Sequence, residues 1–372
     1  KKIVKKIKVK TKKKSIKDQK YTQNKLILSK VLGEKKSLNF SGLSIDTRTI
    51  KKGNLFLAIK GKKIDGNKFV NTALKKGAGC IISSKILKKN DKKIITVKNS
   101  ISFLNSFAKF KRKLSLAKII AVTGSAGKTS LKNLTKDLLQ NFGKTCSSSK
   151  SFNNHLGVPI SLSNLSFEDK FGVFEVGMSR PGEIKNLSRL IQPHIGVITN
   201  IGEAHIENFQ SVYGIAKAKS EIIESISEGG TIILNRDDKF FNYLSKKASK
   251  YKLKIFTFGH HKKSDVQIKK IIKKGENSKI FIKINNEVID LEIRDLNIYN
   301  VLASIAVLKV LKIDINKINA KLKNFETPDG RGKKHSIIRY KKKFNLIDES
   351  YNANPLSVKN AINKLNLIKK EK

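Results

Sequence analysis

The residues best placed to do chemistry lie at positions 121–130, which read AVTGSAGKTS and directly follow an apolar run. A strand there must turn sharply into a helix, and glycines let the backbone N–H groups of such a turn point at an anion. The helix that follows aims its positive end at the same point. Lys128 adds a charge for terminal phosphates, and the Thr129 hydroxyl is a ligand type for Mg²⁺.

The usual phosphate-loop pattern has a glycine where Val122 stands, and Gly124 supplies the first glycine of a tighter loop instead. A chance Gly-Lys-Thr in a lysine-rich chain is the weaker interpretation, because a predicted strand precedes it and a predicted helix follows it. We therefore predict an ATP-binding loop made of Thr123, Gly124, Ser125, Ala126, Gly127, Lys128, Thr129 and Ser130.

Two further polar residues lie at or beyond the ends of predicted strands and would reach the same sheet edge. Glu175, in the run Phe174-Glu175-Val176-Gly177, stands at the end of an apolar strand, where a carboxylate can hold Mg²⁺ beside the loop. Taken alone, a solvent-facing glutamate is an equally good interpretation. His205 follows the strand before Thr199, and a lone histidine is more often structural than a ligand. Its place after a parallel strand favours a functional role.

Lysine is so abundant that composition alone leaves Lys217 and Lys219 as solvated residues of a predicted helix. The formal net charge is +50 over 372 residues. Such a charge is compatible with nucleic acid, an anionic membrane or polyanionic small substrates. The lysines are spread over nearly every segment and there is no Trp, so we favour compositional drift and expect no nucleic-acid partner.

The two cysteines, Cys80 and Cys146, lack metal-ligand spacing and are interpreted as small core residues. No apolar run approaches the roughly 20 residues of a membrane span. We expect a cytoplasmic protein without a membrane span.

The order of predicted elements indicates an α/β protein with three domains. We predict a basic N-terminal extension (1–36), a small α/β domain (37–112), a central doubly wound ATP-binding domain (113–326), and the start of a Rossmann-like C-terminal domain (327–372). The extension's basic lead, residues 1–20, is expected to be strand-containing or a disordered arm. Alternation over 266–293 predicts antiparallel ribbons, and a single helix is predicted over 213–227. Residues beyond about Thr327 contain one predicted strand and one helix, and we expect them to be loosely ordered.

Several strings together resemble the Mur ligase family over about residues 44–372. They are TGSAGKTS (123–130), SFNNHLGVP (151–159), EVG (175–177), NIGEAH (200–205) and DESYNANP (348–355). The asparagine-rich strings are similar to the branch that adds D-alanyl-D-alanine to a UDP-N-acetylmuramoyl tripeptide. The resemblance implies the three-domain Mur ligase architecture and the use of ATP. It also implies a reaction in which an acyl phosphate forms on the peptide carboxylate.

The resemblance also implies roles for individual residues. Lys128, Lys219, His205, Arg331 and Asp348 would be catalytic. Thr129, Glu175, His205 and Lys219 would hold magnesium, as two ions, with Lys219 carbamylated. Asn235, with Asp237 or Asp238, and Asn300 would contact the nucleoside. Ser44, Thr47, Arg48, Asn153, Asn154, Asn352 and Asn354 would bind the two substrates, UDP-N-acetylmuramoyl tripeptide and D-alanyl-D-alanine. The chain is expected to act as a monomer.

Other interpretations stay open at this stage. One is a Mur-type ligase for an earlier peptide residue or a folylpolyglutamate-type ligase, against which the asparagine strings argue. Another is an RNA-associated protein with a nucleotide switch, which the charge permits. A third is a fragment without catalytic activity.

Overall fold

The computed structural model describes residues 16–33, 38–86, 91–274, 277–294, 296–351, 353 and 355–368. They form two compact units. The first comprises the described residues up to Ala117 together with His155–Asp169, and the second comprises Lys118–Asn154 and the described residues from Lys170 onward. The chain therefore leaves the first unit, returns to it, and leaves it again.

The helices and strands alternate along most of the chain. The α-helices are α1 (Ile16–Leu32), α2 (Val70–Lys75), α3 (Ser100–Leu114), α4 (Lys128–Gln140), α5 (Gly157–Ser163), α6 (Glu183–Ile191), α7 (Val212–Lys219), α8 (Phe241–Lys250), α9 (Ile298–Val310), α10 (Asn319–Asn324) and α11 (Pro355–Ile368). The strands are β1 (Leu43–Ser44), β2 (Leu55–Leu57), β3 (Cys80–Ser83), β4 (Ile94–Thr96), β5 (Lys118–Thr123), β6 (Thr145–Ser147), β7 (Phe171–Glu175), β8 (Ile195–Ile198), β9 (Thr231–Asn235), β10 (Lys254–Gly259), β11 (Val266–Lys274), β12 (Asn277–Ile284), β13 (Glu287–Arg294), β14 (Lys333–Arg339) and β15 (Lys342–Asp348).

The first unit is built on a parallel sheet of order β1-β2-β3-β4. Strands β2 and β3 are buried along their whole length, as expected for parallel strands covered on both faces. Helix α5 is tied to this unit by the Asn164 side chain, which accepts from the Leu43 amide at 2.9 Å and donates to the Leu43 carbonyl at 3.1 Å. The segment 155–169 is thus part of the first unit although it lies beyond β5 in sequence.

The N-terminal lead behaves differently from its prediction. Helix α1 begins at Ile16, so the described part of the lead is neither a strand nor a disordered arm; residues 1–15 lie outside the described residues. Ile27 and Leu28 are buried, and the Asn24 amide donates to the Phe40 carbonyl at 2.8 Å. Polar Gln23 and Asn24 share this buried face, which removes the apolar periodicity by which a packed helix is recognised.

The second unit contains a nine-stranded sheet of order β13-β12-β11-β10-β9-β8-β5-β7-β6. Pairings are parallel from β6 to β11, and antiparallel from β11 to β13. The predicted α/β class, the doubly wound sheet and the ribbons over 266–293 are therefore confirmed. Strand β5 lies between β7 and β8, where the strand order reverses, and ligands of such sheets bind beyond the carboxyl ends of the strands at this point.

Two segments of the second unit differ from prediction. The helix predicted over 213–227 ends at Lys219 and continues as a 3₁₀ helix over Ser220–Ser225. Strand β15 pairs antiparallel with the unpredicted strand β14. Their two-residue turn, Tyr340 and Lys341, has φ values of 52° and 57° without the glycine or asparagine that usually marks such a turn. Among the described helices, none is long and apolar enough to cross a bilayer.

Candidate active site

The loop between β5 and α4 is closed so tightly that glycine is required at two positions. Gly124 has φ +147°, and a Cβ there would lie 1.8 Å from Thr199 Oγ1. Gly127 has φ +83° as the residue before α4, and a Cβ there would lie 2.8 Å from Asn300 Oδ1. The loop therefore brings its backbone against the end of β8 and the start of α9, with the helix N-terminus beside it.

The segment after β8 holds this loop in shape. The Ser125 and Ala126 amides donate to the carbonyl and side-chain oxygens of Asn200, at 3.0 and 2.9 Å. The Thr199 hydroxyl donates to the Ala126 carbonyl at 2.6 Å. Ser125 Oγ donates to the Gly202 carbonyl at 2.8 Å and accepts from the Gly202 amide at 2.9 Å. The loop is thus preorganised by the protein itself.

Two lysines converge on one carbonyl oxygen. Lys128 Nζ and Lys219 Nζ both donate to Gly124 O, at 2.8 and 3.0 Å. Lys219 is 2% exposed, and burial, with the charge of Lys128 adding to it, brings its pKa well below the ordinary value. Burial also lowers the pKa of Lys128, with Glu175 opposing the shift and Arg331 adding to it. The loop therefore gathers two lysine side chains where an anion would bind.

A group of oxygen atoms lies on the other side of the loop. Thr129 Oγ1 donates to Glu175 Oε2 at 2.7 Å, and the Asn153 amide donates to Glu175 Oε1 at 2.8 Å. Glu175 is 1% exposed. A hydroxyl and a carboxylate in contact at a phosphate-binding loop are ligands that Mg²⁺ prefers. In the described part of the chain, no group of three or more His, Cys, Asp or Glu residues could hold a metal by itself. The donor set therefore fits an ion that also takes oxygens from a bound phosphate or water.

Arg331 reaches this group from beyond the central sheet. Its Nη2 donates to Ser151 Oγ at 3.1 Å, and Ser151 Oγ lies 3.2 Å from Thr129 Oγ1. The guanidinium also lies over the Tyr351 ring, 4.1 Å from its centroid. Asp348 accepts from the Gly330 and Ser350 amides, both at 3.0 Å. The pKa of Asp348 is lowered most by a hydrogen bond from the Ser350 side chain, and further by the bonds from the Ser350 and Gly330 amides. Asp348 thus shapes the turn that carries Arg331.

The predicted nucleoside contacts lie around the ends of β9 and β10. Asn300 is buried against Gly127 at the start of α9. Asn235 Oδ1 accepts from the Asp237 amide at 3.0 Å, while burial raises the pKa of Asp238, whose Oδ2 accepts from the Ile201 amide at 2.7 Å. Asp237 accepts from the His260 and His261 amides and from Tyr299 OH.

Several predicted residues are not brought to the loop. His205 is exposed, and its Nδ1 lies 3.8 Å from Glu207 Oε1. Asn154 is exposed, and Asn352 and Asn354 lie outside the described residues.

The predicted UDP-sugar residues belong to the first unit. Arg48 makes a two-pronged bond to Asp46, with Nε–Oδ1 at 3.0 Å and Nη2–Oδ2 at 2.8 Å, which raises the pKa of Arg48. The Ser44 hydroxyl donates to the Asp46 carbonyl at 3.0 Å, and the Thr47 carbonyl accepts from Lys76 Nζ at 2.8 Å.

Although Ser151 and Asn200 stand in the quoted family strings, sequence reasoning assigned no role to the residues that support the loop and its oxygen group. They are Lys132, Ser148, Ser151, Thr199 and Asn200. Lys132 lies four residues after Lys128 and so on the same face of α4. That spacing is the one signal that could have singled out Lys132. In a chain with 79 lysines and arginines, however, two lysines four residues apart are common by chance.

Comparison with known proteins gives consistent matches over both units. The family model for the Mur ligase middle domain matches residues 122–308, and the one for the Mur ligase family catalytic domain matches residues 39–112. The chain is 36% identical over 332 residues to the UDP-N-acetylmuramoyl-tripeptide–D-alanyl-D-alanine ligase of Rickettsia prowazekii (strain Madrid E). That match covers 88% of this chain and 73% of the relative.

Solved structures agree with the sequence matches. A crystal structure of MurF from Acinetobacter baumannii aligns with a TM-score of 0.79 at 26% identity, covering 92% of this chain and 76% of that one. MurF from Thermotoga maritima in complex with ADP aligns with a TM-score of 0.73 at 26% identity, covering 87% and 74%.

Proposed function

The chain belongs to the Mur ligase family, and from that premise we propose that it joins D-alanyl-D-alanine to a UDP-N-acetylmuramoyl tripeptide at the expense of ATP. The reaction forms an amide in peptidoglycan precursor synthesis and releases ADP and phosphate. The named relatives favour this ligase over a folylpolyglutamate-type ligase or an RNA-associated nucleotide switch.

The observation that carries the proposal is the closed loop with two lysine side chains on one side and oxygen ligands on the other. Lys128 and Lys219 meet at Gly124 O, and Thr129 contacts Glu175 across the loop. ATP with magnesium needs both features, because its phosphates require neutralisation and its metal requires oxygen ligands.

The proposed reaction has two chemical steps. The peptide carboxylate attacks the γ-phosphorus, an acyl–O–P bond forms, and the bond to the β-phosphate oxygen breaks to release ADP. The amine of D-alanyl-D-alanine then attacks the acyl carbon, giving a tetrahedral intermediate that expels phosphate, and the nitrogen loses a proton. A carboxylate attacking a polyphosphate brings like charges together, so alignment and neutralisation are the main contributions of the protein.

Individual side chains supply these contributions. Lys128 leaves the Gly124 carbonyl to pair with the terminal phosphates. Arg331, already within hydrogen-bond distance of Ser151, adds charge on the side of Thr129 and shields the acyl phosphate from water. Thr129 and Glu175 would hold Mg²⁺, which supplies charge neutralisation and orientation of the phosphates. His205 is proposed to join the metal ligands, and Asp348 to hold the turn that presents Arg331.

We further propose that Lys219 is carbamylated and serves a second Mg²⁺. Its burial favours the neutral amine, and the neutral amine is the form that adds carbon dioxide. Carbamylation replaces this neutral amine with an anion, whose charge offsets the positive charge of Lys128 beside it. A carbamate also offers oxygen atoms, the ligand type that Mg²⁺ prefers.

The remaining assignments concern the substrates. Asn235 and Asn300 are proposed to contact the nucleoside, since Asn300 lies directly behind the loop. Ser44, Thr47 and Arg48 are proposed for the UDP-sugar. Asn153, Asn154, Asn352 and Asn354 are proposed for the peptide substrates.

The proposal is tested by ADP release from ATP with UDP-N-acetylmuramoyl tripeptide, measured with and without D-alanyl-D-alanine. We expect ADP and an amide-linked product, identified by mass, when all three substrates are present. Binding of both nucleotide substrates without any product would contradict the proposal.

A further inference from the structure

Lys132 is a fully buried lysine in α4 to which no role is assigned by the proposed reaction. Its side chain is 0% exposed. Burying an ammonium group is costly unless it is hydrogen-bonded. Burial lowers the pKa of Lys132 to about 8, with Glu175 opposing the shift and Arg331 and Lys136 adding to it. Both hydrogen bonds of its Nζ go to one short segment, residues 148–153.

The two bonds clamp the beginning of this segment. Lys132 Nζ donates to the Ser148 carbonyl at 2.8 Å and to the Lys150 carbonyl. Lys150 has φ +44°, a left-handed conformation that disfavours any residue with a side chain. Ser148 Oγ in turn accepts from the Glu175 amide at 3.1 Å. The clamp therefore holds a strained turn beside β7.

The end of the same segment carries two side chains of the candidate site. Ser151 Oγ lies 3.2 Å from Thr129 Oγ1, and the Asn153 amide donates to Glu175 Oε1 at 2.8 Å. The Asn153 carbonyl accepts from the Gly177 amide at 2.9 Å. Releasing the turn at Lys150 would shift the two side chains that contact the residues proposed to hold magnesium.

We infer that Lys132 is a positioning residue for the nucleotide–magnesium site. Its ammonium holds residues 148–153 in the conformation that sets Ser151 against Thr129 and Asn153 against Glu175. This inference rests on the proposed function, because only a metal–nucleotide site gives that alignment a chemical consequence. A lysine with a purely structural role would affect the stability of the fold and all ligand binding alike.

The test compares Lys132→Met with Lys136→Met, which removes a partly exposed lysine one turn along the same helix. ADP binding is measured calorimetrically with Mg²⁺ and with EDTA, and thermal unfolding is recorded for each variant. We expect Lys132→Met to lose about ten- to hundredfold in the magnesium-dependent gain of ADP affinity, the size usual for residues that orient metal ligands. ADP affinity in EDTA should stay within about twofold, because the loop backbone is held by Thr199 and Asn200 instead.

The outcomes separate the inference from the function on which it rests. Wild-type protein that binds no ADP overturns the proposed function. Wild-type protein with a magnesium-dependent gain that Lys132→Met retains overturns the inference alone. Equal losses with Mg²⁺ and with EDTA, or the same loss in Lys136→Met, also overturn it. Lys132→Gln keeps a donor for one carbonyl and supplies the same comparison if Lys132→Met does not fold. Faster hydrogen exchange over 148–153 in the folded variant supports the clamp directly.

Discussion

Gly127 and Gly182 offer a matched pair for testing how the phosphate loop depends on its contact with Asn300. Both precede a helix, both have φ +83°, and neither makes a side-chain cap. A Cβ at Gly182 meets nothing within 4 Å, whereas a Cβ at Gly127 meets the Asn300 amide at 2.8 Å. Substitution by alanine therefore imposes the same backbone strain at both sites and a steric conflict at only one.

The expected magnitudes follow from these distances. The left-handed conformation costs alanine about 1–2 kcal/mol at either site, so both variants should lose similar thermal stability from this source. At Gly127, ordinary contact begins at 3.4 Å and the available distance is 2.8 Å, so Asn300 must withdraw by 3.4 − 2.8 = 0.6 Å. Losing one Asn300 hydrogen bond to the nucleoside costs about 1 kcal/mol, or about fivefold in ADP affinity.

Calorimetry measures the ADP affinity of each glycine variant, and thermal unfolding measures the backbone strain that the two variants share. We expect Gly127→Ala to bind ADP at least about fivefold more weakly than Gly182→Ala. In an Asn300→Ala background, the extra cost of Gly127→Ala over Gly182→Ala should disappear, since the conflicting amide is gone. Equal ADP affinity of the two glycine variants, or an extra cost that persists without the Asn300 amide, would refute the assignment of Asn300 to the nucleotide.

Three further predictions concern single side chains. Lys128→Met should retain the fold and lose about a hundredfold or more in turnover, because it removes charge at the transferred phosphate; near-normal ADP release at saturating ATP would contradict this. Lys219→Ala should be severely impaired, and short carboxylic acids should restore part of the ADP release by replacing the carbamate; wild-type turnover without them would return Lys219 to a structural role. Burial raises the pKa of the Cys80 thiol to about 12 from 9.0. The contribution of this buried, protonated thiol to the free energy of unfolding is therefore fully present below pH 9.0 and is lost as the pH rises towards about 12. Iodoacetamide at about pH 8.5 should accordingly modify half-buried Cys146 and spare Cys80 until denaturant is added, as measured by peptide mass; equal modification in the folded protein would show that Cys80 is accessible.

Local sequence was sufficient for the parts of the site that one turn or one strand end determines. Thr129 and Glu175 were both predicted as magnesium ligands because parallel strands end at one sheet edge, and their side chains do meet at 2.7 Å. His205 also follows such a strand, yet its left-handed backbone, with φ +59°, leaves the side chain exposed beside Glu207. Strand order alone does not determine where a side chain points once the chain leaves the strand.

Residues that act through backbone contacts could not be predicted in this way. Asn200 supports the loop through its own carbonyl as well as its side chain, and Lys132 donates only to carbonyl oxygens of a distant segment. Such contacts depend on tertiary packing, so the sequence does not indicate which group each residue will contact. Helix α1 escaped prediction for a related reason, because Gln23 and Asn24 lie on its buried face.

The return of residues 155–169 to the first unit has a consequence for synthesis on the ribosome. The chain emerges from its N-terminus, and domains tend to fold as they become complete. The first unit cannot close when Ala117 appears, because Asn164, which brackets Leu43 at β1, is still untranslated. When Asn164 emerges from the tunnel, β5, the phosphate loop and α4 have emerged before it, while both neighbours of β5, β7 and β8, follow later in the chain. The strand that leads into the phosphate loop therefore stays apolar and unpaired on both edges until the first unit has been completed.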